Sequence, residues 1–573
     1  MSFDNNKCLE FLRDELAVQE ANYKEIVETN AKKLLQEGEH LFRGKIIKIS
    51  ESQIYIKFRA EFWVPRINST RYLCHFLKEE GRGSSLLNNN SLYGLLSKYS
   101  LGALEFSPVK YIKDSVSNDF IICIFSSYDI GAADKIHSYN NTIVYVTEAP
   151  PPTEMLENLI HFWEHQDIEK YSNKMKNQYL PVTPLRTDDP SNFIVNEMAT
   201  QEPFIVQGPP GSGKSYTISL IISKLCEMNQ SVLVVSLTNR ALIEIANKEP
   251  LKKLLNESRI FKTSLTNSEN KELPNLNRLD SIIETKGECH LVTSFKASSC
   301  LLSENFNKYD YVLIDEASEL TLPMLLGTIN LGYRSSLFGD IFQLPPVVVL
   351  DKAKIEKRQY SEIVNGLDTL SFIYKTFQLV STYRLPEIAA KYTSSFYRFP
   401  VTSLNHDKKS CSATLFNQRM TIPLGVFFIF TKLNHDKSPQ QALNLNMELI
   451  NSILSTEKKA KIAVLAHMKN YVNKVMKLSF QYLPEKKLEG ILFETVHRIQ
   501  GLTCDYAIFT VTNYLNSLRN INLFNVATSR AQKLTFVILD EKYSNPFYNR
   551  QNLPPQIANY LEKVIEDNMF IRI

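Results

Sequence analysis

Gly208-Pro209-Pro210-Gly211-Ser212-Gly213-Lys214-Ser215 fills the pattern G-x-x-x-x-G-K-[ST] without a gap. The residues around it supply the context the pattern needs. Phe204-Ile205-Val206 is a short apolar, β-branched run that reads as a buried strand, and Ile218, Ile221, Ile222 and Leu225 recur at helical spacing. Strand, glycine turn, helix is the geometry of a P-loop. Glycines let backbone N–H groups turn inward on a phosphate, and the helix N-terminus adds the positive end of its dipole. Residues Gly208 to Ser215 are therefore the expected cradle of a nucleoside triphosphate. Lys214 is expected on the β- and γ-phosphates and Ser215 on Mg²⁺.

A second stretch supplies the acids. Tyr311-Val312-Leu313-Ile314 reads as a strand buried on both faces, and it ends in Asp315-Glu316. Two adjacent carboxylates at such a place are costly without a cation. Asp315 is the expected Mg²⁺ ligand, directly or through water. Glu316, pointing differently, is the candidate base for the attacking water. Leu337-Phe338-Gly339-Asp340-Ile341-Phe342-Gln343-Leu344-Pro345-Pro346 is a third strand end. Gln343 is a candidate reader of the γ-phosphate, and the rigid proline pair suits a contact with a base or sugar. Val232-Leu233-Val234-Val235 leads into Ser236-Leu237-Thr238-Asn239-Arg240-Ala241, and Val292-Thr293-Ser294 repeats the arrangement. Hydroxyl and amide side chains at strand C-termini lie where α/β sheets bind ligands. Thr238 can equally cap the following helix.

With 573 residues, several domains are expected. Hydrophobic residues at 44% and charged ones at 22% are ordinary for a soluble globular chain, and a net charge of +4 is compatible with a nucleic-acid groove without requiring one. The eight cysteines are scattered with no C-x-x-C pair, which reads as free thiols in a reducing compartment. No stretch approaches a membrane-spanning length, so a soluble, cytoplasmic protein without a membrane partner is expected.

Residues 1–40 read as a stalk of one long helix or two in series, stopping near Gly38. The character changes at Leu41: Lys45-Ile46-Ile47-Lys48-Ile49, Ile54 to Phe58, Phe120 to Phe125 and Thr142 to Val146 are strand-like, and a small β-barrel over 41–148 is the simplest account. Its Tyr, Phe and Lys side chains suit either a core or a stacking surface for single strands. Residues 149–180 open with Pro150-Pro151-Pro152. A returning stalk helix follows, capped by Thr153, with Leu156, Leu159, Ile160 and Trp163 on one face. The P-loop domain is expected over 181–350 and a second α/β unit over 351–573. The second unit has no P-loop. Arg384 follows Thr382-Tyr383, and Arg530 lies in Asn525-Val526-Ala527-Thr528-Ser529-Arg530-Ala531; such arginines meet either an anion or a surface carboxylate. The fold class is α/β.

Taken together, these stretches resemble superfamily-1 helicases of the B type, in the branch of the nonsense-mediated-decay RNA and DNA helicases. The matching order is the glycine turn, Thr238-Asn239-x-Ala241, Asp315-Glu316-Ala317-Ser318, Gly339-Asp340-x-x-Gln343-Leu344-Pro345-Pro346 and Tyr383-Arg384-Leu385-Pro386. Val496-His497-Arg498-Ile499-Gln500-Gly501 with Asp505, and Asn525-Val526-Ala527-x-Ser529-Arg530-Ala531, complete it. The resemblance implies two RecA-like P-loop NTPase domains behind the stalk and barrel, with ATP in the cleft between them. Lys214, Ser215, Asp315, Glu316 and Gln343 would come from the first domain, and Arg384 and Arg530 from the second as arginine fingers. It implies Tyr383 stacked on adenine, and Gln500 and Gly501 near the domain interface. Thr238, Asn239, Thr293 and Pro345 would lie along a single strand of DNA or RNA. The implied activity is ATP-dependent 5′–3′ translocation or unwinding by a monomer, with a protein partner supplying targeting. An ATP-switched single-strand clamp that never unwinds is the alternative. Three positions depart from the family pattern: Asn192 stands for its adenine-reading glutamine, Thr503 for its ribose-holding glutamate, and Leu237 for a proline.

Overall fold

The computed structural model describes residues 4–573 apart from 39, 51–52, 60–63, 66–70, 79–83, 114–119, 128–138, 140, 169–170, 172, 175–179, 188, 201, 406–410, 416–417, 434–439, 500 and 512–517. The chain opens with a helix, Asn5–Glu28, started by the Asp4 carboxylate on Lys7 N–H. A short second helix, Ala31–Glu37, ends at Gly38 in the left-handed conformation (φ 65°). Six antiparallel strands then close a barrel in the order Leu41–Ser50, Gln53–Arg59, Phe120–Ser127, Ser100–Lys113, Tyr72–Leu77, Ile143–Glu148 and back to the first. Ile54, Ile56 and Phe58 alternate inward, as a two-residue period dictates.

The returning helix, Glu154–Glu164, turns Leu156, Leu159 and Trp163 onto Cys8, Leu9, Phe11 and Leu12 of the first helix. Thr153 stands at its start without the side-chain capping bond expected of it. The helix pair rests on the first lobe, where Trp163 Nε1 donates to Pro323 O at 3.1 Å and Asn158 Nδ2 to Ser298 Oγ at 3.1 Å. The barrel leans on the second lobe through Lys110 Nζ to Glu489 Oε1 at 2.8 Å and the ring of Tyr111 against Phe480 at 6.1 Å.

The first lobe is a parallel sheet of nine strands. Their order is Asn277–Arg278, Ile260–Lys262, Cys289–Thr293, Val232–Ser236, Tyr309–Ile314, Gly332–Gly339, Phe204–Gln207, Thr376–Leu379 and Val182–Leu185. The P-loop strand is buried throughout and covered on both faces, which is why it reads as an unbroken apolar run. The boundary expected at 350 is corrected here: Thr376–Leu379 pairs with Phe204–Gln207, so the first sheet is completed after it. The helices Ser361–Val364 and Gly366–Leu370 pack with this lobe as well. The second lobe is a parallel sheet of six strands, ordered Ile491–Thr495, Ile462–Ala466, Cys504–Thr510, Ala531–Asp540, Gly425–Thr431 and Phe570–Arg572. No helix among the described residues is long and apolar enough to cross a membrane, and the cysteines among them whose side chains are described are unbridged.

Candidate active site between the lobes

The glycine turn leaves the buried strand Phe204–Gln207 and enters the helix Lys214–Glu227 through Gly213 at φ 82°. Gly208 N–H bonds Gly339 O at 2.9 Å, so the turn is anchored to the neighbouring strand end. Lys214 Nζ donates to Gly208 O at 3.0 Å, folded back across the turn it would share with a phosphate.

The second lobe touches this turn directly. Thr382 Oγ1 donates to Pro210 O at 2.8 Å, and Tyr383 N–H to Gly211 O at 2.8 Å. A cavity of about 250 Å³ lies between the lobes. Pro210 to Ser215, Glu316 and Gln343 line it from the first lobe; Tyr383, Arg384, Gly501, Thr503 and Arg530 line it from the other side. Glu244, Lys248 and Gln532 line it too, and sequence reasoning missed them because nothing in a lone helical carboxylate or lysine marks a cleft.

The charges here are short of partners. Among the described residues, Asp315 Oδ1, Glu316 Oε2 and Arg530 Nη2 are buried with no hydrogen-bond partner, as is Ser212 Oγ. Burial pushes the Asp315 carboxyl up to about 8, Glu316 adds to the rise, and Lys214 opposes it. Burial pushes the Arg530 guanidinium down to about 10, with Arg384 adding repulsion, and burial likewise lowers Arg384. Two guanidinium groups that repel each other across one cleft make a setting suited to an anion. The orphaned Asp315 oxygen, near Lys214 and behind the turn that ends in Ser215, fits a hard cation with oxygen ligands; Mg²⁺ held there would screen the phosphate charge.

Glu316 sits at φ 49°, ψ 42°. A non-glycine residue held at positive φ costs about 1–3 kcal/mol and persists where its surroundings enforce it. The conformation turns Glu316 away from the strand line of Asp315, so adjacent acids take separate directions.

Gln343 is steered by Asp340. Its Nε2 donates to Asp340 Oδ2 at 3.2 Å, and Tyr397 Oη donates to the same oxygen at 2.6 Å. Asn525 Nδ2 reaches Tyr397 Oη at 3.0 Å and Phe342 O at 2.9 Å. Asn522 Nδ2 donates to Ile341 O and Gln343 O. Asn522 and Asn525 lie on the helix Ile521–Thr528, two residues before Arg530. The segment that carries Gln343 and the helix that precedes Arg530 are thus joined by hydrogen bonds across the lobes.

Asn192 is not brought to the cavity. Its Oδ1 accepts from Lys224 Nζ at 2.7 Å and its Nδ2 donates to Asp189 Oδ2 at 3.3 Å, so a local ion-pair cluster holds both ends of the amide. Tyr383 is 57% exposed, and its ring stands beside Gly213. Gln500 lies outside the described residues. Thr238 Oγ1 accepts Ala241 N–H at 3.2 Å, and Thr293 Oγ1 accepts Lys296 N–H at 3.4 Å; both cap helices. With Asn239 and Pro345 they sit at or just beyond strand C-termini of the first sheet, outside the cavity.

Residues 191–349 match the family model described as AAA domain. The chain is 28% identical over 188 residues to the DNA replication ATP-dependent helicase/nuclease DNA2 of Saccharomyces cerevisiae, covering 30% of this chain and 12% of that protein. It is 24% identical over 342 residues to the replicase polyprotein 1ab of murine coronavirus (strain 2), covering 57% of this chain and 4% of the polyprotein. The chain thus spans a small part of these relatives. Among solved structures, the Arterivirus nonstructural protein 10 helicase aligns with a TM-score of 0.37 at 12% identity, over 88% of this chain and 78% of that one. The matched segment, residues 191–349, contains the glycine turn, Asp315-Glu316 and Gln343.

Proposed function

We propose that the chain is an ATP-dependent nucleic-acid translocase or helicase that hydrolyses ATP, with Mg²⁺, in the cleft between its lobes. The observation that carries this is the cavity where Lys214, Glu316 and Gln343 face Arg384 and Arg530. Lys214 and the turn N–H groups hold the phosphates. Glu316 takes the proton of the attacking water, and Gln343 orients that water. Arg384 and Arg530 stabilise charge developing on the transferred phosphoryl group. Ser215 and Asp315 would hold Mg²⁺, which would neutralise phosphate charge there. Tyr383 stacks on the base. Because the arginines belong to one lobe and the P-loop to the other, hydrolysis needs the lobes together and product release lets them part. A single strand lying on Thr238, Asn239, Thr293 and Pro345 is moved by that cycle, 5′ to 3′. The AAA domain match, and relatives named as helicases, support the same reading.

Glu316→Gln tests the chemistry. It is expected to bind ATP and single strands at wild-type affinity and to lose turnover by about 10²- to 10⁴-fold; wild-type turnover in this variant would remove Glu316 from its role. ATP hydrolysis measured with matched single-stranded DNA and RNA over a salt series names the polymer. Strand displacement from partial duplexes with 5′ or 3′ overhangs then reads polarity. Strand-stimulated hydrolysis with no displacement from either overhang would make the protein an ATP-switched clamp instead.

A further inference from the structure

The loop after the strand Gly332–Gly339 runs from Asp340 to Leu350 and packs into two cores at once. Phe342 and Leu344 sit with the apolar side chains of the second lobe. Ile341, Val348 and Leu350 sit with the first lobe and the N-terminal helix pair. One end of the loop is tied to the second lobe through Asp340 and Tyr397. The other end is held from a third direction. Glu15, on the helix Asn5–Glu28, is 3% exposed, and its carboxylate accepts Val349 N–H at 2.7 Å and Leu350 N–H at 3.0 Å. Gln19 Nε2 steadies it at 3.0 Å.

A buried carboxylate is expensive unless donors meet it, and one bonded to two amides makes hydrogen bonds of the stronger, charge-assisted kind. Phe11 and Leu12 already supply apolar contact between this helix and the lobe. Glu15 adds direction: two N–H vectors fix where the backbone at 349–350 lies, which apolar packing does not.

We propose that Glu15 is a positioning residue for the nucleotide reaction. Through Val349 and Leu350 it sets the loop that carries Gln343 to the cavity and Pro345 to the strand, so the N-terminal helix is part of the catalytic unit. The inference rests on the hydrolysis proposed above. Glu15 touches neither nucleotide nor strand. Its loss frees the far half of the loop, and a shift of about 1 Å near the reacting phosphate costs up to roughly 10²-fold.

Asp14 provides the control. It fastens the same helix to the same lobe, through Tyr360 Oη at 3.0 Å and Lys354 Nζ at 3.0 Å, without touching the loop. In the full-length chain, Glu15→Ala is expected to lower kcat for strand-stimulated ATP hydrolysis by roughly 10- to 100-fold, with KM for ATP moved by less than about threefold. Glu15→Gln, which keeps one carbonyl acceptor, loses less. Asp14→Asn lowers Tm and leaves kcat in place. Amide hydrogen exchange across 341–350 is expected to speed up in Glu15→Ala and not in Asp14→Asn. If the Glu15 and Asp14 variants lose stability alike while kcat and loop exchange stay at wild-type values, Glu15 is only a fastener and the proposal is wrong. Should Glu15→Ala fail to fold, Glu15→Gln against Asp14→Asn makes the same comparison. A wild-type chain without ATP turnover would sink the hydrolysis reading separately, and the exchange measurement still decides the positioning.

Discussion

At the scale of single residues, Gly211 shows how closely the lobes are fitted. It holds φ 73°, and a Cβ there would stand 2.3 Å from Arg384 Cβ and 2.8 Å from Thr382 Oγ1. Any side chain drives Arg384 off the turn it is meant to serve. Gly501 has φ 77° and an open surrounding, so the same substitution there meets backbone strain alone. Gly211→Ala is therefore expected to reduce ATP turnover much further than Gly501→Ala, although both carry about 1–2 kcal/mol of left-handed strain. Steady-state hydrolysis of the two variants, with Tm as a check on folding, decides this. Equal losses would mean that the close approach of Arg384 to the turn is unimportant to the reaction.

At the scale of elements, the helix Ile521–Thr528 and the loop from Asp340 act as one unit through Tyr397. Burial raises the Asp340 carboxyl, and the Tyr397 hydroxyl is one of the donors that meet it. Removing that hydroxyl leaves a buried acceptor short of a partner, at about 1–3 kcal/mol. Tyr397→Phe is expected to lower Tm and to reduce kcat while nucleotide affinity, read with a fluorescent analogue, holds. A Tyr397→Phe enzyme with unchanged kcat would uncouple this network from chemistry. Nothing in the sequence signals Tyr397, because a tyrosine between Phe396 and Arg398 fits no motif and its partners lie 57 and 128 residues away. What was legible shares one property: short range. The glycine turn, Asp315-Glu316 and the buried strands are each written within a few residues. Arg384 and Arg530 were legible as arginines lacking an obvious reason, and both line the cavity. The edge of the first sheet was not, since Thr376–Leu379 pairs with a strand far earlier in the chain and carries a polar Gln378 that breaks the apolar run. Asn192 stands where the family pattern has a glutamine, and its amide is claimed by Lys224, a partner on another helix.

At the scale of the whole molecule, the stalk and barrel form a second connection between the lobes, and its two ends differ in strength. On the first lobe the hold is a packed core: Phe11, Leu159 and Trp163 are fully buried, and the indole N–H is bonded to Pro323 O. On the second lobe the barrel's apolar side chains join that lobe's cluster around a void, with an exposed Lys110–Glu489 ion pair, screened by salt, and an edge-on ring contact worth about 0.5–1.5 kcal/mol. A void of about 60 Å³ lies between them, lined by Phe42, Tyr72 and Tyr111 of the barrel and Val472 and Met476 of the second lobe. When the lobes part, the barrel should leave the second lobe before the helix pair leaves the first. Trp163→Ala is then expected to cost about 3–5 kcal/mol of stability and to lower Tm. Tyr111→Ala should leave Tm close to wild type and raise hydrogen exchange in the helix Lys469–Tyr482. Raising salt should move the wild-type exchange of that helix in the same direction, because the Lys110–Glu489 pair weakens. If Tyr111→Ala destabilised the chain as much as Trp163→Ala, or left exchange at 469–482 untouched, the barrel would be a fixed part of the second lobe, and lobe opening would have to break the stalk instead.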